Sequence, residues 1–66
     1  MFGEKLRELR KEKLISQKEI AQILGCSQSM ITRWESLECE PTEKYIVECA
    51  KYFNVSADYL LGLSDY

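Results

Sequence analysis

Apolar residues recur every three or four positions along most of this chain, which is the spacing of helices that bury one face. The pattern predicts a first helix from Phe2 to about Lys13, two helices within residues 16–37, a fourth from Thr42 to about Phe53, and a short last one between Ser56 and Gly62. No alternating strand pattern, repeat or low-complexity segment is present. The sequence therefore predicts an all-α fold, a compact bundle of five short helices around one core.

Residues from about 17 to 36 have the spacing of a helix-turn-helix. Ala21 falls where two steeply crossing helices come closest, and Gly25 falls where the chain must turn left-handed after the first helix. Ile31 and Trp34 lie three positions apart on the second helix and are expected to face the core. A small residue, a glycine and two apolar residues at these offsets together specify the motif.

Residues that cap helices precede four of the five predicted helices. Ser16 and Glu19 have the spacing of a capping box, in which each side chain accepts a hydrogen bond from the other residue's backbone N–H. Ser27, Thr42 and Ser56 are good single caps. These local signals place the helix starts independently of the apolar pattern.

The second helix of the motif carries polar side chains along one face and apolar side chains along the other. At about 100° per residue, the polar face spans roughly 140°. Its members are Gln28, Ser29, Thr32, Arg33 and Ser36. A solvated surface helix is the plainer interpretation, but this face lacks the Glu–Lys pairs that usually decorate exposed helices. Its donors and acceptors suit base edges, so DNA is the first hypothesis.

Length and composition indicate one domain, residues 1–66, with 45% apolar residues and a single small core. No stretch approaches the roughly 18 consecutive apolar residues that cross a membrane, and the N-terminus has no apolar signal-peptide core. We therefore expect a soluble, cytoplasmic protein associated with the nucleoid and without a membrane partner.

Cysteine and histidine usage argues against a metal site or a cofactor. There is no histidine, and Cys26, Cys39 and Cys49 form an odd set without CxxC spacing. Reduced thiols are expected, with Cys49 as a small apolar core residue. A redox switch at Cys26 or Cys39, which lie in predicted turns, stays open as an alternative. No Ser or Cys lies in a recognisable nucleophile motif, so no catalytic residue is predicted.

The net charge of −2 conceals two halves of opposite sign. Residues 1–33 hold seven basic and four acidic residues, a balance of +3, whereas residues 34–66 hold two basic and seven acidic residues, a balance of −5. A basic half that contains the motif suits a protein that meets DNA with one face. The acidic half offers a surface for a basic protein partner.

The chain resembles the lambda-type Cro/cI repressor family, also called XRE-like, over nearly its whole length. The segments that carry the resemblance are KLRELRKEK, SQKEIAQILGCSQSMITRWE and, at residues 50–62, AKYFNVSADYLLG. The resemblance implies an all-helical DNA-binding domain of the lambda repressor type, with its recognition helix, here about residues 28–37, in the major groove. It also implies a homodimer on palindromic operator DNA.

Individual site residues follow from matching positions in that family. Base contacts fall on Gln28, Ser29, Thr32 and Arg33. A glutamine amide suits adenine, because it can donate to N7 and accept from N6, and an arginine suits either guanine or a phosphate.

The other roles concern anchoring and internal structure. Gln17 matches a position that binds phosphate and braces Gln28, whereas Arg10 and Glu35 match a partly buried ion pair. Further phosphate contacts are expected from Lys18, Ser27, Ser36 and Lys44.

Two departures from the family pattern follow the motif. Leu37 stands where the family often has glycine, which implies that the recognition helix ends differently or runs longer. Glu38 and Glu40 put acids into a loop that usually lies along the DNA backbone. Phosphate anchoring therefore comes from other residues, or DNA binding is weak.

The last helix and the tail hold more apolar side chains than a short end segment needs to bury. The candidate dimer contacts are Tyr59, Leu60, Leu63 and Tyr66. Burial of the same side chains within one molecule is the open alternative.

The sequence thus predicts a sequence-specific, double-stranded DNA-binding transcriptional regulator, with a dimeric repressor as the preferred form. The main alternative is a protein-interaction module, such as an antitoxin or an adaptor, that uses the same fold. An enzyme has little support, because the usual general base is missing.

Overall fold

A computed structural model describes residues 2–63, which form five helices around one core. The helices are α1 (Phe2–Glu12), α2 (Gln17–Leu24), α3 (Gln28–Glu35), α4 (Glu43–Phe53) and α5 (Ala57–Leu60). No strand is found in residues 2–63, and none of the five helices is long and apolar enough to cross a membrane. The predicted all-α bundle is confirmed.

Trp34 lies at the centre of the core, where its side chain is only 1% exposed. The Phe2 ring meets it edge-on with 5.7 Å between ring centroids, and the Tyr45 ring lies 5.2 Å away at a tilt. The other buried apolar residues come from all five helices and are Leu6, Leu9, Ile20, Ala21, Leu24, Ile31, Cys49, Phe53 and Leu60. The inner face of α3 is therefore fixed by packing, while its outer face is left free.

Gly3 permits the close approach of α1 to α3, a role that was not predicted from the sequence. A Cβ atom here would overlap the carbonyl oxygen of Trp34 and stand 3.1 Å from the Leu37 side chain. Lack of space, rather than an unusual backbone conformation, therefore requires glycine at this position.

Side chains cap three of the helices as predicted. The Ser16–Glu19 capping box is formed, with the Glu19 N–H donating to Ser16 Oγ at 3.0 Å and the Ser16 N–H donating to Glu19 Oε1 at 3.1 Å. Ser27 and Ser56 each accept from a backbone N–H three residues later. Thr42 has the backbone conformation of a cap, but its side chain makes no cap hydrogen bond, so that prediction is only half right.

Each of the five described helices is followed by a residue with a left-handed backbone. These residues are Leu14, Gly25, Leu37, Asn54 and Gly62, with φ between 56° and 79°. In each case the next N–H donates to the carbonyl five residues earlier, as from Ile15 to Arg10 at 2.9 Å, which is a Schellman motif. Two of the five positions hold leucine, whose Cβ makes the left-handed conformation unfavourable.

The predicted recognition helix of residues 28–37 is two residues too long. Helix α3 ends at Glu35, and Leu37 takes the left-handed conformation with φ of 65°. The Glu38 N–H then donates to the Arg33 carbonyl at 2.9 Å. The expectation that a leucine here would change the ending or lengthen the helix is therefore wrong, because leucine adopts the turn that glycine would make.

We expect Leu14→Gly to raise the free energy of unfolding by about 0.5–1 kcal/mol. Glycine removes the roughly 1–2 kcal/mol of left-handed strain. It also loses more conformational entropy on folding than leucine does, which offsets part of this gain. Leu14 is 89% exposed, so its removal sacrifices little packing. Urea unfolding measures the effect, and Leu14→Ala is the control, because alanine keeps the strain. A glycine variant no more stable than the alanine variant would contradict this account.

Candidate nucleic-acid interface

The outer face of α3 presents the four residues predicted to contact bases. Gln28, Ser29, Thr32 and Arg33 are all exposed. The side chains of Gln28, Ser29 and Arg33 form no hydrogen bond or ion pair with other described residues. At about 1.5 Å per residue the helix is roughly 12 Å long, comparable to the width of the major groove. The face therefore has free donors and acceptors on a rigid support.

Thr32 differs from the other three because its hydroxyl is engaged within the protein. Its Oγ1 lies 3.0 Å from Gln17 Oε1 and 3.2 Å from the Gln28 carbonyl oxygen, so its one proton is donated to these acceptors. What Thr32 can still offer an external partner is its methyl group and the remaining acceptor capacity of its oxygen.

A chain of hydrogen bonds connects α3 to α1 and α2. Thr32 donates to Gln17, and the Gln17 amide donates to Glu35 Oε1 at 3.2 Å. Arg10 donates to both Glu35 oxygens, at 2.8 Å and 3.0 Å, and to the Ile15 carbonyl at 3.1 Å. The predicted Arg10–Glu35 ion pair is confirmed, with side chains 14% and 6% exposed.

The hydrogen bond to Glu35 raises the pKa of Arg10 above its ordinary value, and this effect exceeds the opposing effect of burial. Arg10 is therefore a permanent cation whose charge is balanced by a neighbouring carboxylate. This pair supports the interface from behind.

Gln17 occupies a different place in this network from the one expected. Its side chain forms hydrogen bonds with Thr32 and Glu35, and none joins it to the Gln28 side chain. The brace to Gln28 expected on DNA stays a prediction. One N–H of the amide is taken by Glu35, so a single amide N–H remains for a phosphate.

The remaining predicted phosphate contacts are dispersed over three helix ends. Lys18 is exposed in the first turn of α2, and Ser27 is the N-cap of α3. Lys44 is exposed in the first turn of α4, with its ammonium 5.7 Å from the centre of the Tyr45 ring. All three keep a donor available.

Ser36 is poorly suited to the phosphate contact predicted for it. Its hydroxyl lies 3.2 Å from the Arg33 carbonyl oxygen and 3.0 Å from Glu38 Oε2, so its proton is donated within the protein. The Glu38 carboxylate would also repel a phosphate at this point.

A cleft of about 270 Å³ opens beside the hydrogen-bond chain, between α1, α2 and α3. Its lining residues are Arg7, Arg10, Gln17, Thr32, Glu35 and Ser36. Arg7 is the one residue of this set for which the sequence predicted no role. Its position three residues before Arg10, on the same face of α1, was the available signal.

The predicted dimer surface is only partly available. Leu60 is fully buried in the core, so its inclusion was wrong, because its side chain has no area left for a partner. Leu63 is 74% exposed, and Tyr59 is half-buried with the Lys5 ammonium 4.9 Å from its ring centre. Tyr66 lies outside the described residues.

The three cysteines are free thiols, and the surroundings of Cys26 do not favour a redox switch. Burial raises the pKa of Cys26, and it raises the pKa of Cys49 to about 12. The thiolate is the reactive form, so both thiols are held in the less reactive state. Within residues 2–63, no cluster of three or more potential metal ligands is assembled.

Comparison with known proteins gives the family. A helix-turn-helix family profile matches residues 6–60, and the chain belongs to this family. Over 92% of its length it is 37% identical to the transcriptional activator BcrR of Enterococcus faecalis and 34% identical to the repressor protein C2 of Salmonella phage P22. It is 32% identical over 98% of its length to the transcriptional regulator YobD of Bacillus subtilis. The chain spans 30%, 28% and 58% of the lengths of these three relatives.

Two solved structures have the same fold. The crystal structure of the P22 c2 repressor in complex with a synthetic operator superimposes with a TM-score of 0.88, at 33% identity over 97% of both chains. The solution structure of the DNA-binding domain of that repressor gives a TM-score of 0.84, at 34% identity over all of this chain and 90% of the other.

We expect Glu35→Leu to lower the free energy of unfolding by about 3 kcal/mol, because it leaves the Arg10 guanidinium mostly buried without a counter-charge. The double variant Arg10→Met/Glu35→Leu should recover most of this loss, since an apolar pair needs no compensation. Urea unfolding of the wild type, both single variants and the double variant gives the coupling free energy between the two side chains. Simple addition of the two single effects would show that the side chains act independently.

Proposed function

We propose that this protein binds double-stranded DNA sequence-specifically through the outer face of α3 and thereby regulates transcription, with repression by occupancy of an operator as its preferred mode. It acts in the cytoplasm, where its DNA lies. The observation that carries the proposal is an α3 fixed from behind by Trp34 while three polar side chains on its outer face have no partner among the described residues. The matching fold of a repressor solved with operator DNA supports the same function.

Base recognition is divided between the two ends of α3. The Gln28 amide can donate to N7 and accept from N6 of an adenine, and the Arg33 guanidinium can donate to O6 and N7 of a guanine. Five positions separate them, about 7.5 Å along the helix axis, so they read different base pairs. Ser29 and the Thr32 methyl group supply the shorter contacts between them.

Phosphate anchoring comes from the helix ends. The first amides of α2 and α3 lack intrahelical acceptors and attract anions. Lys18 and Ser27 add an ammonium and a hydroxyl at these two ends, the free amide N–H of Gln17 lies beside them, and Lys44 supplies a third anchor at the start of α4. Ser36 has no part in this anchoring because of its neighbour Glu38.

A two-fold homodimer on a palindromic operator is the assembly we propose. The exposed Leu63 and the half-buried Tyr59 are the described candidates for its contacts, with Tyr66 as a further candidate. The acidic surface of the second half is the candidate site for a protein partner. If the protein is an antitoxin or an adaptor, substitutions on this acidic surface, rather than on α3, should abolish its activity.

The decisive experiment is selection of binding sites from random duplexes, followed by affinity measurements on the selected and a scrambled duplex. We expect a palindromic site bound at least about a thousandfold more tightly than scrambled DNA. Absence of any enriched site, with only weak and salt-dependent binding, would favour the protein-interaction module instead.

We expect Gln28→Ala to cost about 1–3 kcal/mol of binding free energy on the selected duplex and much less on the scrambled one, because it removes a base contact. The matched control is Gln22→Ala, since Gln22 is an exposed glutamine on α2 rather than on α3. Fluorescence anisotropy titrations with both duplexes measure the effect. An equal loss on both would show that Gln28 only anchors the protein.

We expect Glu38→Gln to tighten binding to both duplexes about two- to fivefold at low salt. The change removes an exposed acid just beyond the end of α3, and pairwise surface electrostatics are worth up to about 1 kcal/mol. Raising the salt concentration should shrink the gain. Glu48→Gln on α4 removes the same charge from an exposed site and is the control. Equal gains in the two variants would mean that only net charge matters.

A further inference from the structure

The lining of the cleft between α1, α2 and α3 carries two guanidinium groups and one carboxylate. The Glu35 carboxylate is 6% exposed and accepts hydrogen bonds from Arg10 and Gln17. Its charge is therefore paired with that of Arg10 inside the protein. The second guanidinium in the lining, that of Arg7, leaves the cleft with a net positive charge.

Arg7 is the residue in the cleft with donors to spare. It is exposed, and it forms no ion pair or hydrogen bond with any other residue in the described part of the chain. Arg10, by contrast, uses three of its nitrogens to bind Glu35 and the Ile15 carbonyl. The five N–H donors of the Arg7 guanidinium form a planar fork, which matches two oxygens of a phosphate group.

The position of the cleft decides which phosphate it can meet. Thr32 and Ser36 belong both to its lining and to the polar side of the motif, so the cleft adjoins the surface that we propose reads DNA. We propose that this cleft binds a backbone phosphate of the bound DNA and that Arg7 is the side chain that contacts it. The inference rests on the proposed function, and it extends the interface from α2 and α3 to the first helix.

The consequence for recognition is a fixed register. A phosphate held by Arg7 defines where the DNA backbone crosses α1, and so sets the angle at which α3 enters the groove. Such a contact carries no sequence information of its own. Its loss should weaken binding to every duplex equally, unlike the loss of a base contact.

The test compares Arg7→Gln with Lys11→Gln, which removes one charge from the same helix outside the cleft lining. Arg7→Gln should lower affinity about tenfold on both the selected and the scrambled duplex, as expected for one charge-assisted hydrogen bond. It should also reduce the slope of log K against log salt by about 0.9, the value for one phosphate contact. Lys11→Gln should change affinity less than twofold and leave the slope unaltered. Arg7→Lys should keep the slope and recover part of the affinity.

The outcomes separate this inference from the proposed function. Identical effects of Arg7→Gln and Lys11→Gln on a wild type that prefers one site would overturn the phosphate cleft and leave the function intact. If the wild type shows no sequence preference but Arg7→Gln still reduces the salt slope, the proposed function is overturned and the phosphate cleft is kept. Millimolar inorganic phosphate that shifts the Arg7 side-chain NMR signal as fully as DNA does would identify a site for free anions and overturn the DNA assignment. Thermal unfolding of each variant checks that the fold is unchanged.

Discussion

The burial of Trp34 is the constraint on which the rest of the structure depends. Its ring is packed between Phe2 and Tyr45, so one side chain fixes α3 against both α1 and α4. Burial of an aromatic ring of this size supplies a large part of the apolar area available to so small a domain. Gly3 is needed for the same reason, because α1 must pass directly over the Trp34 carbonyl. A recognition surface can stay rigid on an eight-residue helix only if its opposite face is held in this way.

The hydrogen-bond chain from Arg10 to Thr32 fixes the orientation of the packed helices relative to one another. A buried ion pair is weak support for stability in general, because desolvation offsets much of the Coulomb attraction. Its contribution here is positional: the Glu35 carboxylate holds the Gln17 amide, which in turn holds the Thr32 hydroxyl. Three helices are therefore oriented through one carboxylate. The side chain of Thr32 is fixed before any partner arrives, which lowers the entropy lost on binding.

The parts of this structure that the sequence could predict are those set by local chemistry. Apolar periodicity, the Ser16–Glu19 box and the turn at Gly25 depend on residues a few positions apart, and all three are confirmed. Two of the misses depend on distances between helices. Neither the space at Gly3 nor the complete burial of Leu60 can be seen in a local pattern. The same holds for the interface, whose exposed face on α3 was foreseen, whereas the partners of Gln17 and the cleft at Arg7 required the packed fold.

The two leucines with left-handed backbones show how strain and charge are linked at the edge of this interface. Leu14 is 89% exposed and has little packing to offset its strain, whereas Leu37 is 48% exposed and its side chain lies close to Gly3 of α1. The contact to α1 therefore compensates a conformation that glycine would adopt freely. Because this turn also fixes Glu38 next to Ser36, the end of α3 presents an acid close to the cleft that Arg7 lines. At the proposed interface, DNA would meet this acid and the cation of Arg7 in a fixed order, which favours one orientation of docking over the reverse.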